Sequence, residues 1–324
     1  MPKFKVLLTD YAWADLEIER SVLSTIDAEL VVAPDGSVAT LARLAADADA
    51  IMTNWLKVPE EVIVAGPKLR IISRLGIGLD NIDVEAATSR GVVVTNVPDY
   101  CLVEVAEHAL ALLLALARKV AYYHWQTKSG RYELQAGPTL RRIEGQVLGI
   151  VGLGNIGRAL ARRANGIGLS ILATGRKRPV DLPDYVAWTT LDDLLQRSDY
   201  VSLHVPATKE TRHMIAKREL NLMKPSAYLI NTARGGLIDH AALSRALTEE
   251  KLAGAALDVQ EVEPPDLSQP PYNDPRVIVT PHAAFVSVES LENLRRRTAQ
   301  QVADMLSGRQ PENVVNPAVI ERAG

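Results

Sequence analysis

Short runs of β-branched and aliphatic residues alternate along this chain with longer stretches whose apolar positions recur at helical spacing. In the N-terminal third the short runs are Val6 to Leu8, Leu30 to Val32, Ala50 to Thr53, Arg70 to Ser73 and Val92 to Thr95, with helical patterns such as Leu16 to Thr25 and Glu60 to Ala65 between them. Continuous apolar strands separated by helices predict a parallel sheet covered on both faces. A long helix begins near Leu102. Its most apolar stretch, Ala109 to Ala117, is bounded by Glu104, Glu107, His108, Arg118 and Lys119, well short of the roughly 20 apolar residues a bilayer demands. The polar, aromatic segment Tyr122 to Pro138 then reads as a protruding loop. A second alternating series follows, with strands at Val147 to Val151, Leu169 to Ala173, Tyr200 to His204, Ala227 to Asn231, Ala255 to Asp258 and Val277 to Thr280, and a last helix from Val288 to Leu306 closes at Gly308. The fold class is α/β, with two doubly wound parallel-sheet domains in tandem.

The second series opens on Gly152-Leu153-Gly154-Asn155-Ile156-Gly157, set between an apolar strand and a helical pattern from Arg158 to Ile167. Three glycines in this spacing mark a dinucleotide-binding βαβ unit: Gly152 permits the tight turn, Gly154 lets backbone approach a pyrophosphate, and Gly157 lets helix pack on strand. The helix N-terminus offers its unpaired N–H groups to the phosphates. At the end of the next strand, where a carboxylate would accept hydrogen bonds from a ribose 2′-hydroxyl, the chain has Thr174-Gly175-Arg176-Lys177-Arg178. Three cations suit a 2′-phosphate, so the expected cofactor is NADP(H), with NAD(H) the alternative and a solvated basic loop the bland reading.

Composition narrows the partners. The chain has 324 residues, a formal net charge of −3, 47% hydrophobic and 23% charged residues, the profile of an ordinary globular protein. No basic field exists to hold nucleic acid, and Arg295-Arg296-Arg297 reads as a solvated helix face. The single cysteine, Cys101, excludes an intramolecular disulfide, the six histidines lack metal-ligand spacing, and no metal is expected. The N-terminal apolar run is too brief for a signal peptide, and neither a membrane span nor a membrane partner is expected, so the expected compartment is the cytoplasm.

Three segments fall where strands of the second series end, the place where open α/β sheets bind ligands. Asn231-Thr232-Ala233-Arg234-Gly235-Gly236 supplies an arginine, residues Leu257 to Pro265 supply carboxylates including Glu263, and Thr280-Pro281-His282-Ala283-Ala284 supplies a histidine. Reduction of a 2-oxo acid by hydride needs such a set: a cation for the substrate carboxylate, an acid to protonate the carbonyl oxygen, and a group that charges that acid.

From Arg74 to Asn316 the chain resembles the D-isomer-specific 2-hydroxyacid dehydrogenases, through Leu75 to Asp83, Asn96 to Cys101, the glycine motif, Leu203 to Pro206 and the three strand-end segments. The resemblance implies that Arg234 binds the substrate carboxylate, that His282 is the general acid, and that Glu263 holds and charges His282. It also implies that Gly76, Ile77 and Gly78 offer backbone N–H groups to substrate, that Asp258 meets the nicotinamide carboxamide, and that Asn155, Ile156, His204, Val205, Pro206, Thr211, Thr232, Ala233 and Ala284 lie along the cofactor. The implied domains are a flavodoxin-like substrate domain of residues 1–99 with 288–324 and a Rossmann cofactor domain of residues 100–287. His108, His124 and Cys101 read as structural.

Within the family the motifs are similar to those of the C-terminal-binding-protein corepressors and of glyoxylate/hydroxypyruvate reductases. Arg74 and Asn54 are expected at the substrate, and Phe285 replaces the tryptophan of the corepressor branch at a position that judges the substrate's side chain. The expected activity is NADP(H)-preferring reduction of a small 2-oxo acid of the glyoxylate or hydroxypyruvate kind to the D-2-hydroxy acid. The alternatives are a phosphorylated or phosphonate-bearing 2-oxo acid and a nucleotide-gated binding protein of the corepressor type. A formate-dehydrogenase-like activity is disfavoured because Pro281 stands where that chemistry has glutamine. The expected assembly is a homodimer, through the helix after Leu102 and the aromatic segment Tyr122, Tyr123, His124 and Trp125.

Overall fold

Val6, Leu7, Leu8, Ala50, Ile51, Met52, Ile71 and Ile72 are almost completely buried, so these strands are covered on both faces, as a parallel sheet requires. The computed structural model describes residues 2–134 and 139–321. The chain divides into two units, Met1–Tyr100 with Ser287–Gly324, and Cys101–Val286.

The first unit begins β1 (Phe4–Leu8), α1 (Glu17–Ser24), β2 (Ala28–Val32), α2 (Val38–Ala45), β3 (Ala50–Thr53), α3 (Glu60–Ala65), β4 (Ile71–Arg74), α4 (Val84–Ser89) and β5 (Val93–Thr95). All pairings are parallel, and the strand order β2-β1-β3-β4-β5 is the flavodoxin-like 2-1-3-4-5. Two of its helices start on side-chain caps: Ser37 accepts from the Thr40 N–H, and Asp83 from the Ala86 N–H, satisfying donors that would otherwise be orphaned.

In the second unit α5 (Leu102–Arg118) and α6 (Val120–Lys128) precede β6 (Val147–Val151), α7 (Asn155–Gly166), β7 (Ser170–Thr174), β8 (Val186–Trp188), α8 (Leu191–Arg197), β9 (Tyr200–Leu203), α9 (Lys217–Leu222), β10 (Tyr228–Asn231), α10 (His240–Thr248), β11 (Gly254–Leu257) and β12 (Val277–Val279). The parallel order is β12-β11-β10-β9-β6-β7-β8. Chain direction across the sheet reverses between β6 and β9, which makes their C-terminal ends the topological switch point. Alternate strand residues feed two cores: Leu148 and Ile150 pack with Ala109, Leu112, Leu113 and Leu116 of α5 and Leu160 of α7, while Val151, Val201, Leu203 and Leu229 pack on the opposite face with Leu243 and Leu247 of α10.

The chain then returns to the first unit through α11 (Val288–Leu306) and α12 (Ala318–Glu321). Beyond α11, Val315 N–H donates to Val94 O at 2.8 Å, and Asn316 brackets β5 by accepting from Val94 N–H and donating to Val92 O.

Three expectations are corrected here. The segment holding Tyr122, Tyr123, His124 and Trp125 is not a loop but α6, none of whose residues is buried; without an apolar stripe it has no readable helical pattern. The end of the expected segment, residues 135–138, lies outside the described residues. Arg295 is not solvated: it lies inward on α11, with Nε and Nη2 on the carboxylate of Glu19 at 2.8 Å each, Nη2 also on Asp15, and its guanidinium over the Trp13 ring. Three consecutive helical residues span 200°, and Arg295 falls on the stripe of α11 that packs inward with Leu294, Thr298 and Ala299. The sequence reading also missed β8, a three-residue edge strand.

Candidate active site

The glycine turn sits at the switch point. Gly152 ends β6 with φ +100°, a conformation open to glycine, and a Cβ there would lie 2.7 Å from His204 O. At Gly157 a Cβ would lie 2.2 Å from Gly152 O, so only hydrogen permits α7 to start this close to the strand. A Cβ at Gly154 meets nothing within 4 Å, and Gly154 caps α7 without a side-chain hydrogen bond. The first N–H groups of α7, at Asn155, Ile156 and Gly157, thus face an open approach. Two strands away along the same sheet edge, just after β10, the Thr232 hydroxyl is buried without a protein partner. A cradle closed to any side chain, an uncapped helix start and an orphaned hydroxyl fit a dinucleotide pyrophosphate.

Other expected cofactor residues follow β7 and β9, the strands on either side of β6. Thr174 is buried at the end of β7, and Gly175, Arg176, Lys177 and Arg178, which follow it, are exposed. His204 ends β9 with Nε2 2.9 Å from Ser202 Oγ, and burial pushes its pKa down to about 4, so the ring is neutral. Val205 packs against Gly152. The Thr211 hydroxyl is used locally, donating to Pro206 O at 2.7 Å and accepting from Thr208 N–H at 2.8 Å.

The candidate acid–base pair, Glu263 and His282, comes from the loops after β11 and β12. His282 Nδ1 lies 2.8 Å from Glu263 Oε2, and Glu263 Oε1 accepts from the Gln260 N–H at 2.9 Å. Burial would raise the Glu263 carboxyl, but the His282 hydrogen bond and charge, with the Gln260 N–H, outweigh it and hold the carboxyl below its usual range. With Nδ1 engaged, Nε2 is the ring atom left for a substrate. His282 has φ +53°, a left-handed conformation that a non-glycine residue holds only when its surroundings fix it. They do: its N–H donates to Asp258 O at 2.8 Å, and the buried Asp258 carboxylate accepts from Thr280 Oγ1 and from the N–H groups of Ala283 and Ala284. Burial would raise Asp258 as well, and hydrogen bonds from His108, Thr280, Ala283 and Ala284 bring it below the carboxylate range. Phe285 meets the His282 ring edge to face, centroids 6.1 Å apart.

Arg234 precedes a 3-10 turn, Gly235–Leu237. Asn231 ties this turn to β10, its side chain accepting from Ala233 N–H and donating to Arg234 O, and Arg234 Nη1 donates to Ala233 O at 2.8 Å. A Cβ at Gly235 would lie 2.0 Å from the Gln260 carbonyl group, so the arginine turn and the Glu263 loop are in backbone contact.

In the first unit Arg74 ends β4 and Asn54 follows β3; both are buried, with Arg74 Nη1 3.4 Å from Asn54 Oδ1 and also donating to Leu75 O. Asn54 Nδ2 is buried without a protein acceptor. Gly76, Ile77 and Gly78 follow Arg74, the first two carbonyls accepting from Val97 N–H and from Asn96 Nδ2.

Sequence reasoning missed two contributors. Gln260 supports Glu263 through its N–H, and its side chain bridges Leu257 O and Thr280 O at 3.2 Å each. His108, read as merely structural, reaches Thr280 and Asp258 from α5. Neither carries a signal in the sequence: Gln260 supports Glu263, three residues on, through a backbone N–H that any residue but proline offers, and His108 acts on residues far along the chain.

Known proteins resemble this chain in sequence and in fold. The family described as D-isomer specific 2-hydroxyacid dehydrogenase, NAD binding domain, matches residues 110–284. A glyoxylate reductase of Korarchaeum cryptofilum is 40% identical over 281 residues, 85% of each chain. The structure of a D-lactate dehydrogenase from Aquifex aeolicus, complexed with NAD and lactic acid, superposes with TM-score 0.88 at 30% identity over 96% of this chain and 99% of that one. An NADPH-dependent glyoxylate/hydroxypyruvate reductase from Sinorhizobium meliloti, in complex with NADP and malonate, gives 0.86 at 29% identity over 97% of both chains. With its fold, its nucleotide cradle and these relatives, the chain belongs to the D-isomer-specific 2-hydroxyacid dehydrogenases and is an oxidoreductase of that family.

Proposed function

We propose that this enzyme reduces a small 2-oxo acid, of the glyoxylate or hydroxypyruvate kind, to the D-2-hydroxy acid and prefers NADPH to NADH. The observation that carries the chemistry is the 2.8 Å pair between His282 and Glu263 on a backbone held in a left-handed turn. A reduced nicotinamide, when bound, supplies the hydride. Protonated His282 delivers a proton from Nε2 to the substrate's carbonyl oxygen as C2 is reduced. Glu263 fixes the ring by accepting the hydrogen bond from Nδ1. Arg234 grips the substrate carboxylate and stabilises the charge developing on the oxygen. Arg74 and Asn54 supply further donors to the acid, which favours a compact, polar or anionic substrate.

The cofactor preference rests on Arg176, Lys177 and Arg178, exposed beyond β7 with no carboxylate among them. Each charge-assisted hydrogen bond contributes about 1.5–3 kcal/mol, so one or two arginine–phosphate contacts favour NADPH by roughly 10- to 1,000-fold. The Sinorhizobium meliloti relative is NADPH-dependent, whereas the Aquifex aeolicus relative was crystallised with NAD. Initial rates of NADPH and NADH oxidation with glyoxylate, hydroxypyruvate, pyruvate, phenylpyruvate and phosphonopyruvate test both parts. Turnover of glyoxylate or hydroxypyruvate with NADPH favoured supports the proposal; an NADH preference refutes the basic-loop argument, and no turnover on any oxo acid refutes the reductase.

A homodimer is proposed through the exposed apolar residues Val103 of α5 and Val120 and Trp125 of α6. Sedimentation equilibrium tests it: Trp125→Glu is expected to give monomers, and a monomeric wild type overturns it.

A further inference from the structure

His108 stands on the second turn of α5, and its Nε2 lies 3.1 Å from Thr280 Oγ1 and 3.4 Å from Asp258 Oδ1. Thr280 has one hydroxyl proton, which it donates to Asp258 Oδ1 at 2.6 Å. Its oxygen is therefore an acceptor towards His108, and Nε2 is the ring nitrogen that carries hydrogen. The chain of donors runs one way, from His108 Nε2–H to Thr280 Oγ1–H to Asp258, and each bond polarises the next.

Asp258 is where this chain ends and where the His282 loop is held. Its Oδ1 takes the Ala283 N–H at 2.9 Å and its Oδ2 the Ala284 N–H at 3.0 Å, while its backbone oxygen takes the N–H of His282. The carboxylate is completely buried, so no water shell holds it in place. His108 and Thr280 fix its Oδ1 from one side, and the loop it grips contains the strained residue that carries the reacting proton.

We propose that His108 is a positioning residue for His282, acting through Thr280 and Asp258 to hold the 280–284 loop in its left-handed turn. The inference rests on the reading of His282 as the proton donor for its catalytic consequence, but not for its structural one. A side chain that merely fills space at position 108 would be replaced without loss by leucine; one that donates to Thr280 would be replaced by glutamine, whose amide N–H can make the same bond.

The test compares the full-length wild type with His108→Leu and His108→Gln. Amide hydrogen exchange at Ala283 and Ala284 is followed together with kcat, the KM for the 2-oxo acid, and the Kd for NADPH measured by its fluorescence. In His108→Leu, exchange protection at both amides and kcat are each expected to fall about tenfold, the loss from one net hydrogen bond, with KM and Kd unchanged. His108→Gln is expected to restore both to within about threefold of wild type. Leucine and glutamine variants that behave alike, or amide protection untouched by leucine, overturn the proposal. If the wild type turns over no 2-oxo acid, the reductase reading fails while amide exchange still decides the role of His108. Should His108→Leu not fold, the glutamine variant decides: native protection at Ala283 and Ala284 supports the proposal, and lost protection overturns it.

Discussion

Replacing Glu263 by glutamine keeps the side chain's size and removes one acceptor. In the native site Oε2 accepts from His282 Nδ1 and Oε1 from the Gln260 N–H, at 2.8 and 2.9 Å. A carboxylate accepts at both oxygens, an amide at one. In Glu263→Gln the NH2 group either faces His282, whose Nδ1 must then be an acceptor and cannot carry hydrogen, or faces the Gln260 N–H, donor against donor. Both arrangements penalise the protonated ring, which needs an acceptor at Nδ1. A hydrogen bond to a charged group is worth about 1.5–3 kcal/mol, so kcat/KM for reduction is expected to fall by roughly 10- to 150-fold. The assay is steady-state NADPH oxidation near neutral pH, where the depressed Glu263 carboxyl is ionised, with NADPH binding followed separately and expected to be unchanged. Linkage adds a second readout. A carboxyl held below its unfolded value stabilises the fold above that value, and the contribution disappears as pH falls through the depressed one; the glutamine variant lacks this acid-side loss. A Glu263→Gln enzyme within about twofold of wild-type kcat/KM would refute the assignment of Oε2 as the group that orients the acid.

His282→Ala is expected to lower kcat by roughly 10²- to 10⁴-fold while NADPH binding persists, and wild-type turnover would sink the general-acid assignment. Gly235→Ala puts a methyl 2.0 Å from the Gln260 carbonyl, a backbone-on-backbone clash expected to cost more than about 3 kcal/mol; an unchanged urea midpoint would show that the two loops do not meet as described. Arg295→Ala strands the completely buried Glu19 and is expected to cost about 3–5 kcal/mol, with most of it recovered in Glu19→Leu/Arg295→Leu; equal stabilities of the single variant and wild type would contradict the buried pair. His204, ordinarily at 6.5 and held at about 4, is neutral when folded. Its contribution is therefore complete above the unfolded value and is lost as pH falls towards the folded one, up to about 3 kcal/mol. Urea midpoints of His204→Gln are expected to fall less steeply over that acid range, and parallel curves would rule this out.

What could be read in the sequence, and what could not, follows a physical division. Elements whose identity is set locally were legible: β3 and α3 lie at Ala50–Thr53 and Glu60–Ala65, where an apolar run and a helical pattern are each cleanly bounded. Elements without a buried stripe were not, as α6 shows, and an edge strand of three residues such as β8 leaves too few positions for a period to appear. Arg295 was misread because its partners, Glu19 of α1 and Asp15 just before that helix, lie almost the whole chain away.

The same division runs through the site. The meeting of Glu263 with His282 was legible because the proposed reaction constrains their type: an acid needs a titratable ring, and the ring needs a carboxylate. Gly152 and Gly157 were legible because a Cβ at either would collide with backbone. Asp258 was noticed for a ligand contact, yet its carboxylate here grips the Thr280 hydroxyl and the N–H groups of Ala283 and Ala284. Gln260 and His108 carried no signal because no reaction fixes their type: Gln260 supports Glu263 through its backbone N–H, and His108 acts only by where the fold delivers it. Residues that hold a catalytic group can be many types so long as one donor reaches one acceptor, so their identity is underdetermined locally and appears only once strands β11 and β12 lie side by side under α5. That is why the strained turn at His282 matters for interpretation: strain has to be opposed by particular contacts, and tracing those contacts outward from φ +53° leads, in three hydrogen bonds, from the proposed proton donor to His108.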